Sequence, residues 1–403
     1  MEEKMIRKML LICLSCLITL LLPGAPYRIT QVHASSLQRL ETGPIEPHKP
    51  HRACPPDIHH RELASCTVEV LKPVPPPPVQ APGSFPTGGS IPYQPADILR
   101  AYNLPSLAPS GQRIAIVTAY DDPHAESDMA TYRSTFGLPA CSSLTGCFLK
   151  TNQTGNPGAY PPANTFWAQE TSLDMDMVSA VCRNCQMLLV EANSASMHDL
   201  GTGVNTAASL GAKAISNSYG SNSEYSGEST TCNTYFNHNN IAVVASSGDA
   251  NGIVQVPAVC PNVIGVGGTN LQTNGTETTW ASAGGGCSTH ISQPIYQSFT
   301  STGCSMRAVP DVSAVADPHT GVYVYDTYNA NGWYQMGGTS ASTPILAAIY
   351  GLAGNANTNS SNVQSLWLRQ VSGNCQLNTV PTGGNTIYSH QSGLGTPNGL
   401  GCF

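Results

Sequence analysis

Three groups of residues in this chain are of types that can do covalent chemistry. The first is Ser340, within the run Gly337-Gly338-Thr339-Ser340-Ala341-Ser342-Thr343-Pro344. The small, apolar stretch Ile345–Leu352 that follows reads as a buried helix. A Ser at the turn opening such a helix sits where unpaired amides and the helix dipole favour developing negative charge. Gly337 and Gly338 would let a substrate backbone approach closely. An ordinary helix cap uses the same residue type, so the segment alone leaves both readings open. It is not an esterase elbow, because Gly338–Ser342 lacks the closing glycine of GxSxG.

A nucleophilic Ser needs a base. Beyond residue 90 the histidines are His124, His198, His238, His290, His319 and His390, none within a His-Gly-Thr type of sequence. The carboxyls Glu170 and Asp174 are the second group. Their spacing puts them on one face of the helix expected over Trp167–Val181. Neighbouring carboxyls on an apolar helix repel when both ionise, so one tends to keep its proton, which raises an apparent pKa toward the range of a general base. Solvated acids in a first helical turn would show the same spacing. The third group is Asp249, which follows the strand-like run Val243–Ser247 and Gly248. A neutral carboxylic acid there could donate to an oxyanion; a loop Asp satisfying nearby amides is the alternative.

The elements that must position these groups are legible as alternating runs. Arg113–Thr118, Gln186–Glu191, Lys213–Ser218, Ile241–Ser247 and Asn262–Val266 read as strands, and Glu126–Phe136, Trp167–Val181 and Met197–Leu210 as helices. Uniformly apolar strands alternating with helices predict an α/β domain, its parallel sheet covered on both faces, over residues 91–403. Residues 35–90 are rich in Pro and His and end in Val-Pro-Pro-Pro-Pro-Val, which predicts a solvated segment and stiff linker. Residues 1–34 read as a signal peptide. Lys4, Arg7 and Lys8 precede an apolar run, Met9–Leu22, shorter than the roughly 20 residues that span a bilayer.

Of the 403 residues only 10% are charged, and the formal net charge is −7. No basic patch offers itself to phosphates, so nucleic acid is not an expected partner. Twelve cysteines remain after the signal, an even number that implies disulfides in an exported protein. Pairing each with its neighbour is the simplest arrangement. Cys182 and Cys185, a CxxC pair, also admit a redox or metal reading, which the export context disfavours.

In their order the motifs resemble the sedolisins, the serine-carboxyl peptidases. Those motifs are Glu170-x-x-x-Asp174, Ser216-Asn-Ser-Tyr-Gly220, Ser247-Gly248-Asp249, Pro310-Asp311-Val-Ser-Ala314, Gly338-Thr339-Ser340-x-x-x-Pro344 and Ser392-Gly-Leu-Gly-Thr-Pro397. The resemblance implies a subtilisin-like three-layer fold around a seven-stranded, mostly parallel sheet. It implies a secreted endopeptidase acting on polypeptides in acid, with Ser340 the nucleophile, Glu170 the base and acid, Asp174 its orienting partner and Asp249 the oxyanion donor. Ser216, Ser218, Tyr219, Gly220 and Gly338 would bind substrate. No cofactor, metal or membrane partner is expected, and the chain should act as a monomer.

Three departures accompany the resemblance. Where many sedolisins carry a further Glu ending the first strand, this chain has Thr118, with Asp121 or Asp122 as partial substitutes. The family's C-terminal calcium should be lost, because no Asp or Glu follows Asp326, and Cys375 with Cys402 would pin the region instead. Residues 35–90 are too few and too Pro-rich for the family's folded prodomain, so either inhibition is handled otherwise or none is needed. Two other functions remain open: a proteolytically dead relative that binds proteins outside the cell, and a Ser-His-Asp peptidase on the same fold, for which no histidine motif exists.

Overall fold

A computed structural model of the chain describes residues 49–56, 60, 62–77, 92–109, 112–354, 361–381 and 387–403. The expected signal peptide lies outside them. The central sheet has eight strands. Phe148–Asn152, Gln186–Ala192, Arg113–Ala119, Ala214–Asn217, Ala242–Ser246, Ile264–Leu271 and Val312–Val315 lie side by side in that order, all parallel, and Glu277–Thr279 adds an antiparallel edge to Ile264–Leu271. The expected parallel sheet is therefore present.

Alternation along one strand shows why both faces are covered. Ile114 meets Gly351 of the Thr339–Ala353 helix, and Thr118 bonds Thr171 of the Thr165–Val181 helix. Val117 points the other way, to Gly203 of the Met197–Ser209 helix. Gly351 is needed there, since a Cβ would lie 2.5 Å from Ile114 Cδ1. Asn164 starts the Thr165–Val181 helix by accepting the Phe166 and Trp167 amides.

The reading of residues 35–90 as a linker outside the domain needs correction. Glu46–Phe403 forms one compact unit, and three short strands of the segment are built into it. Glu69–Pro73 lies between His51–Arg52 and Gly332–Gly337 in a second, antiparallel sheet, and Ala64–Cys66 pairs with Tyr219–Ser221. The physical reason lies in Cys66, Val68, Val70 and Leu71, all buried. The Pro-rich composition belongs to the stretch that follows them.

Six disulfides form, each between neighbouring cysteines as expected: Cys54–Cys66, Cys141–Cys147, Cys182–Cys185, Cys232–Cys260, Cys287–Cys304 and Cys375–Cys402. At the far edge of the sheet Arg307 and Asp311, both fully buried, form a two-pronged ion pair at 2.7 and 2.6 Å. Asp311 also accepts the Gly265 amide and the Trp367 indole, so one carboxylate ties the sheet to the Asn362–Val371 helix. Arg307→Met would leave that charge buried without its counterion. It should cost about 3–5 kcal/mol in urea unfolding, whereas loss of the largely exposed His198–Asp199 pair would cost little.

Candidate active site

The site is assembled where the Thr165–Val181 and Thr339–Ala353 helices pack together beside the end of the Ala242–Ser246 strand. Ser340 is the second residue of its helix. The Ser340 hydroxyl donates to Glu170 Oε2 at 2.6 Å, and both residues are fully buried. One helical turn on, Asp174 Oδ1 accepts the Ser218 hydroxyl at 2.5 Å. Among the described residues Glu170 Oε1 and Asp174 Oδ2 have no hydrogen-bond partner.

Loss of solvation drives the carboxyl of Glu170 well above its ordinary range, and the charge of Asp174 adds to this. The Ser340 hydroxyl and the Thr67 amide pull it partly back. Asp174 is raised by burial as well, against the Ser218 bond. The two therefore titrate as a pair that keeps a proton far above the usual carboxylate range.

Asp249 Oδ1 accepts both the amide and the hydroxyl of Thr339, at 2.9 and 2.8 Å. Oδ2 is buried and free of partners among the described residues. Burial raises this carboxyl to about 6, with the Thr339 bonds and Arg52 opposing. Gly338, at φ +90°, turns the chain into the helix, and a Cβ there would lie 2.9 Å from Asp249 Oδ2. Only glycine takes that turn and leaves the space open.

Of the residues assigned to substrate binding, Ser218, Tyr219 and Gly220 lie along one strand edge. Gly220 carries no side chain because Gln255 fills the place, with its Oε1 2.5 Å from where a Cβ would be. Ser216 does not reach that edge, since it is paired within the central sheet to Ile116 and Val244. The strand edge is occupied by the chain itself. Thr67 donates its amide to the Ser218 carbonyl at 3.3 Å, and its carbonyl accepts the Ser340 amide at 3.4 Å. Its hydroxyl lies 2.8 Å from both Ser340 Oγ and Ser246 Oγ.

Thr67, Ser246, Thr339, Gln255 and Arg52 were not singled out from the sequence. For Thr67 a signal existed, in the alternation from Ala64 to Val70 beside a cysteine. Asp121 and Asp122 do not substitute for the carboxyl missing at Thr118. Asp121 bonds Lys150 at 2.5 Å and Asp122 caps His124, in a separate cluster with Glu191. In the C-terminal region where calcium was considered, the Tyr388 hydroxyl donates to Pro310 and the His390 ring bonds Thr302. Asp311 is already spent on Arg307, so this donor set does not fit the cation. Cys287, Cys304 and His390 gather within 4.8 Å, but the sulfurs are joined as a disulfide and offer no thiolate.

With this geometry in view, residues 155–395 match the model of the subtilase family. The chain belongs to that family. Within the subtilases its likeness is to the sedolisins. It is 37% identical to sedolisin of Pseudomonas sp. (strain 101) over 122 residues, which is 27% of this chain and 20% of that protein. It is 28% identical to kumamolisin of Bacillus sp. (strain MN-32) over 300 residues, 64% of this chain and 51% of that one. The chain thus spans at most about half of these two relatives. Its fold is that of Pseudomonas sedolisin, a serine-carboxyl proteinase solved with pseudo-iodotyrostatin, at a TM-score of 0.66 and 24% identity over 77% of this chain and 96% of that one. Glu170, Asp174, Asp249 and Ser340 all lie inside the subtilase match; Thr67 lies outside it.

The buried carboxyls set how this subtilase should respond to pH. Asp122 and Asp326 are raised to about 7, Glu191 to about 9 and Asp249 to about 6, with Glu170, Asp174 and Asp176 higher than usual, all chiefly through burial. Between pH 4 and these values the folded chain binds more protons than the unfolded one, so stability is greatest in acid and falls as pH rises. Lowered His51 and His238 act the other way, but the raised carboxyls outnumber them. The Ser340→Ala protein should melt on the order of 5–10 °C higher at pH 4 than at pH 8 by calorimetry.

Proposed function

We propose that the chain is a secreted serine-carboxyl endopeptidase that cuts polypeptides in acid. The observation that carries this reading is the Ser340–Glu170 bond, a nucleophile's hydroxyl donated at 2.6 Å to a carboxyl sealed from water. Glu170 takes the Ser340 proton as Oγ attacks the substrate carbonyl, then returns it to the leaving amine. Asp174 holds the pair's remaining proton, so Glu170 is available as a base at a pH where a lone buried acid would be neutral. The negative charge forming on the carbonyl oxygen is met by the Ser340 amide and by protonated Asp249 through Oδ2. Secretion rests on the N-terminal sequence and the six disulfides.

Two protonation states must coexist: a Glu170–Asp174 pair that has lost one of its two protons, and a neutral Asp249. Rate against pH should therefore form a bell in acid, falling as pH passes about 6, where Asp249 loses its proton. Hydrolysis of a quenched peptide library from pH 2.5 to 8 measures this. Ser340→Ala should abolish cleavage, and Glu170→Ala should cost roughly 10²–10⁴-fold. Asp249→Ala should lose about 10²–10³-fold, whereas Asp249→Asn keeps a donor that does not ionise and moves the alkaline limb upward. Cleavage peaking near neutral pH and surviving Glu170→Ala would sink the carboxyl-base reading.

A further inference from the structure

We propose that the Cys287–Cys304 bridge is thiol-sensitive, and that a dithiol which opens it creates a zinc site from Cys287, Cys304 and His390. The ligand atoms of these three residues already lie within 4.8 Å of one another. Joined as a disulfide, the two sulfurs offer no thiolate, so the site belongs to the reduced chain alone.

Access and leaving group set this bridge apart from the other five. Of the twelve paired cysteines, Cys287 alone is exposed. Cys182 and Cys185, the CxxC pair, are both buried. An attacking thiolate therefore reaches Cys287 Sγ and expels Cys304. His390 Nε2 lies 3.4 Å from Cys304 Sγ, and its N–H donates to the Thr302 carbonyl at 3.0 Å. A proton on that nitrogen steadies the departing thiolate, and exchange runs faster when the leaving thiolate is stabilised.

The opening takes two electrons and two protons from the dithiol. One of its sulfurs bonds to Cys287 Sγ as the bond to Cys304 breaks. Its second sulfur then displaces Cys287, leaving two thiols on the chain and a cyclic disulfide on the reductant. Zinc displaces the two thiol protons, and His390 gives up Thr302, keeps its proton on Nδ1 and turns the Nε2 lone pair to the metal. With Zn–S about 2.3 Å and Zn–N about 2.0 Å, ligand atoms stand roughly 3.5–4 Å apart. The two Cα atoms are 5.4 Å apart, so side-chain rotation alone brings the sulfurs to that spacing. The fourth position is left to water.

The backbone that carries the ligands is already fixed. Ser389 and Gly393 exchange amide-to-carbonyl bonds at 3.0 and 2.8 Å, and the Gln391 carbonyl accepts the Gly268 amide. A Cβ on Gly285 would lie 2.0 Å from the His390 carbonyl oxygen, so the turn is backed against the start of the hairpin that bears Cys287. That hairpin pairs Gly286–Ser292 with Met306–Val309, and Cys287 faces Ala308. Its entry is tied to the turn before Asp249, through the Gly284 amide to the Gly248 carbonyl and the Ser247 hydroxyl to the Gly284 carbonyl. The same residues thus hold the hairpin closed in either state, by a covalent bond or through the metal.

The test uses the full, folded chain at pH 7.5. Limited dithiothreitol, followed by alkylation and peptide mass mapping, should label Cys287 and Cys304 at least about 10-fold faster than any other pair. The chain so reduced, moved to thiol-free buffer without oxygen, should bind one equivalent of cobalt. Its spectrum should show the visible bands of a tetrahedral ion and a thiolate charge-transfer band in the near ultraviolet, and zinc should displace it. The oxidised chain should show neither. His390→Ala should slow the opening and weaken cobalt by about 10²-fold or more, since even outer partners of metal ligands cost 10–100-fold. Where His390→Ala does not fold, Cys304→Ser is the second variant and should lose cobalt in the same way. Earlier opening of another pair overturns the inference. So does a reduced chain that unfolds or binds no cobalt, or a cobalt spectrum and affinity unchanged in the folded variant.

Discussion

Glu170 meets Ser340 only because the helix carrying it is sunk into the protein, and there the loss of water decides the protonation of everything nearby. The Thr165–Val181 helix has Glu170, Asp174 and Asp176 among its buried residues and not one Lys or Arg. Charged together in a dry interior, these acids would repel at close range, with Arg133 opposing this only at Asp176. Their positions resolve the conflict. Glu170 and Asp174, four apart, face the Ser340 turn as a pair that retains a proton. Asp176 lies on another side of the helix and accepts the Tyr325 amide, anchoring the second sheet. On such a helix, loss of solvation alone holds the acids in their protonated range.

The same constraint explains what the sequence could show and where it fell short. Five of the seven parallel strands, and the helices near Glu126–Phe136, Trp167–Val181 and Met197–Leu210, are legible as runs of their own; Phe148–Asn152 and Val312–Val315 are not, being only five and four residues long. The Glu170–Asp174 spacing and the Gly338-Thr339-Ser340 turn are local, so their roles are written within a few residues. The strands His51–Arg52, Ala64–Cys66 and Glu69–Pro73 are two, three and five residues long, too short to carry a period. Their partners lie far along the chain, at Tyr219–Ser221 and Gly332–Gly337. Composition pointed to a linker because the prolines that follow dominate the stretch. Beyond the brief alternation from Ala64 to Val70, what the strands occupy is set by tertiary contact.

Two departures from the sedolisin pattern are absorbed by packing. Thr118, at the position where many sedolisins carry a carboxyl, shares a hydrogen bond with Thr171 at 3.1 Å and keeps the strand close to the helix without adding a further buried charge. At the C-terminal end, Arg307 and Asp311 supply inside the protein the opposite charges that a cation and its ligands would supply, and Trp367 and Gly265 are tied to the same carboxylate. Cys375–Cys402 closes the last segment covalently. In both places a polar device that depends on ions gives way to one that does not.

The strand edge beside Ser340 has a consequence for selectivity. Tyr219–Ser221 pairs through its backbone with Ala64–Cys66, and the Gln255 side chain packed against Gly220 takes the room that a side chain at Gly220 would need. Backbone pairing attracts any extended chain and so discriminates little between sequences. Discrimination must then come from the places that receive side chains. One is a cleft of about 200 Å³ where Tyr120, Phe166 and Trp167 face Leu63 and Ser65. The other is the hydroxyl-lined position between Ser246 and Ser340 that Thr67 fills. An aromatic wall on one side and two hydroxyls on the other suit the run from Leu63 to Thr67, whose bulk lies at Leu63 and whose last residue is small and polar.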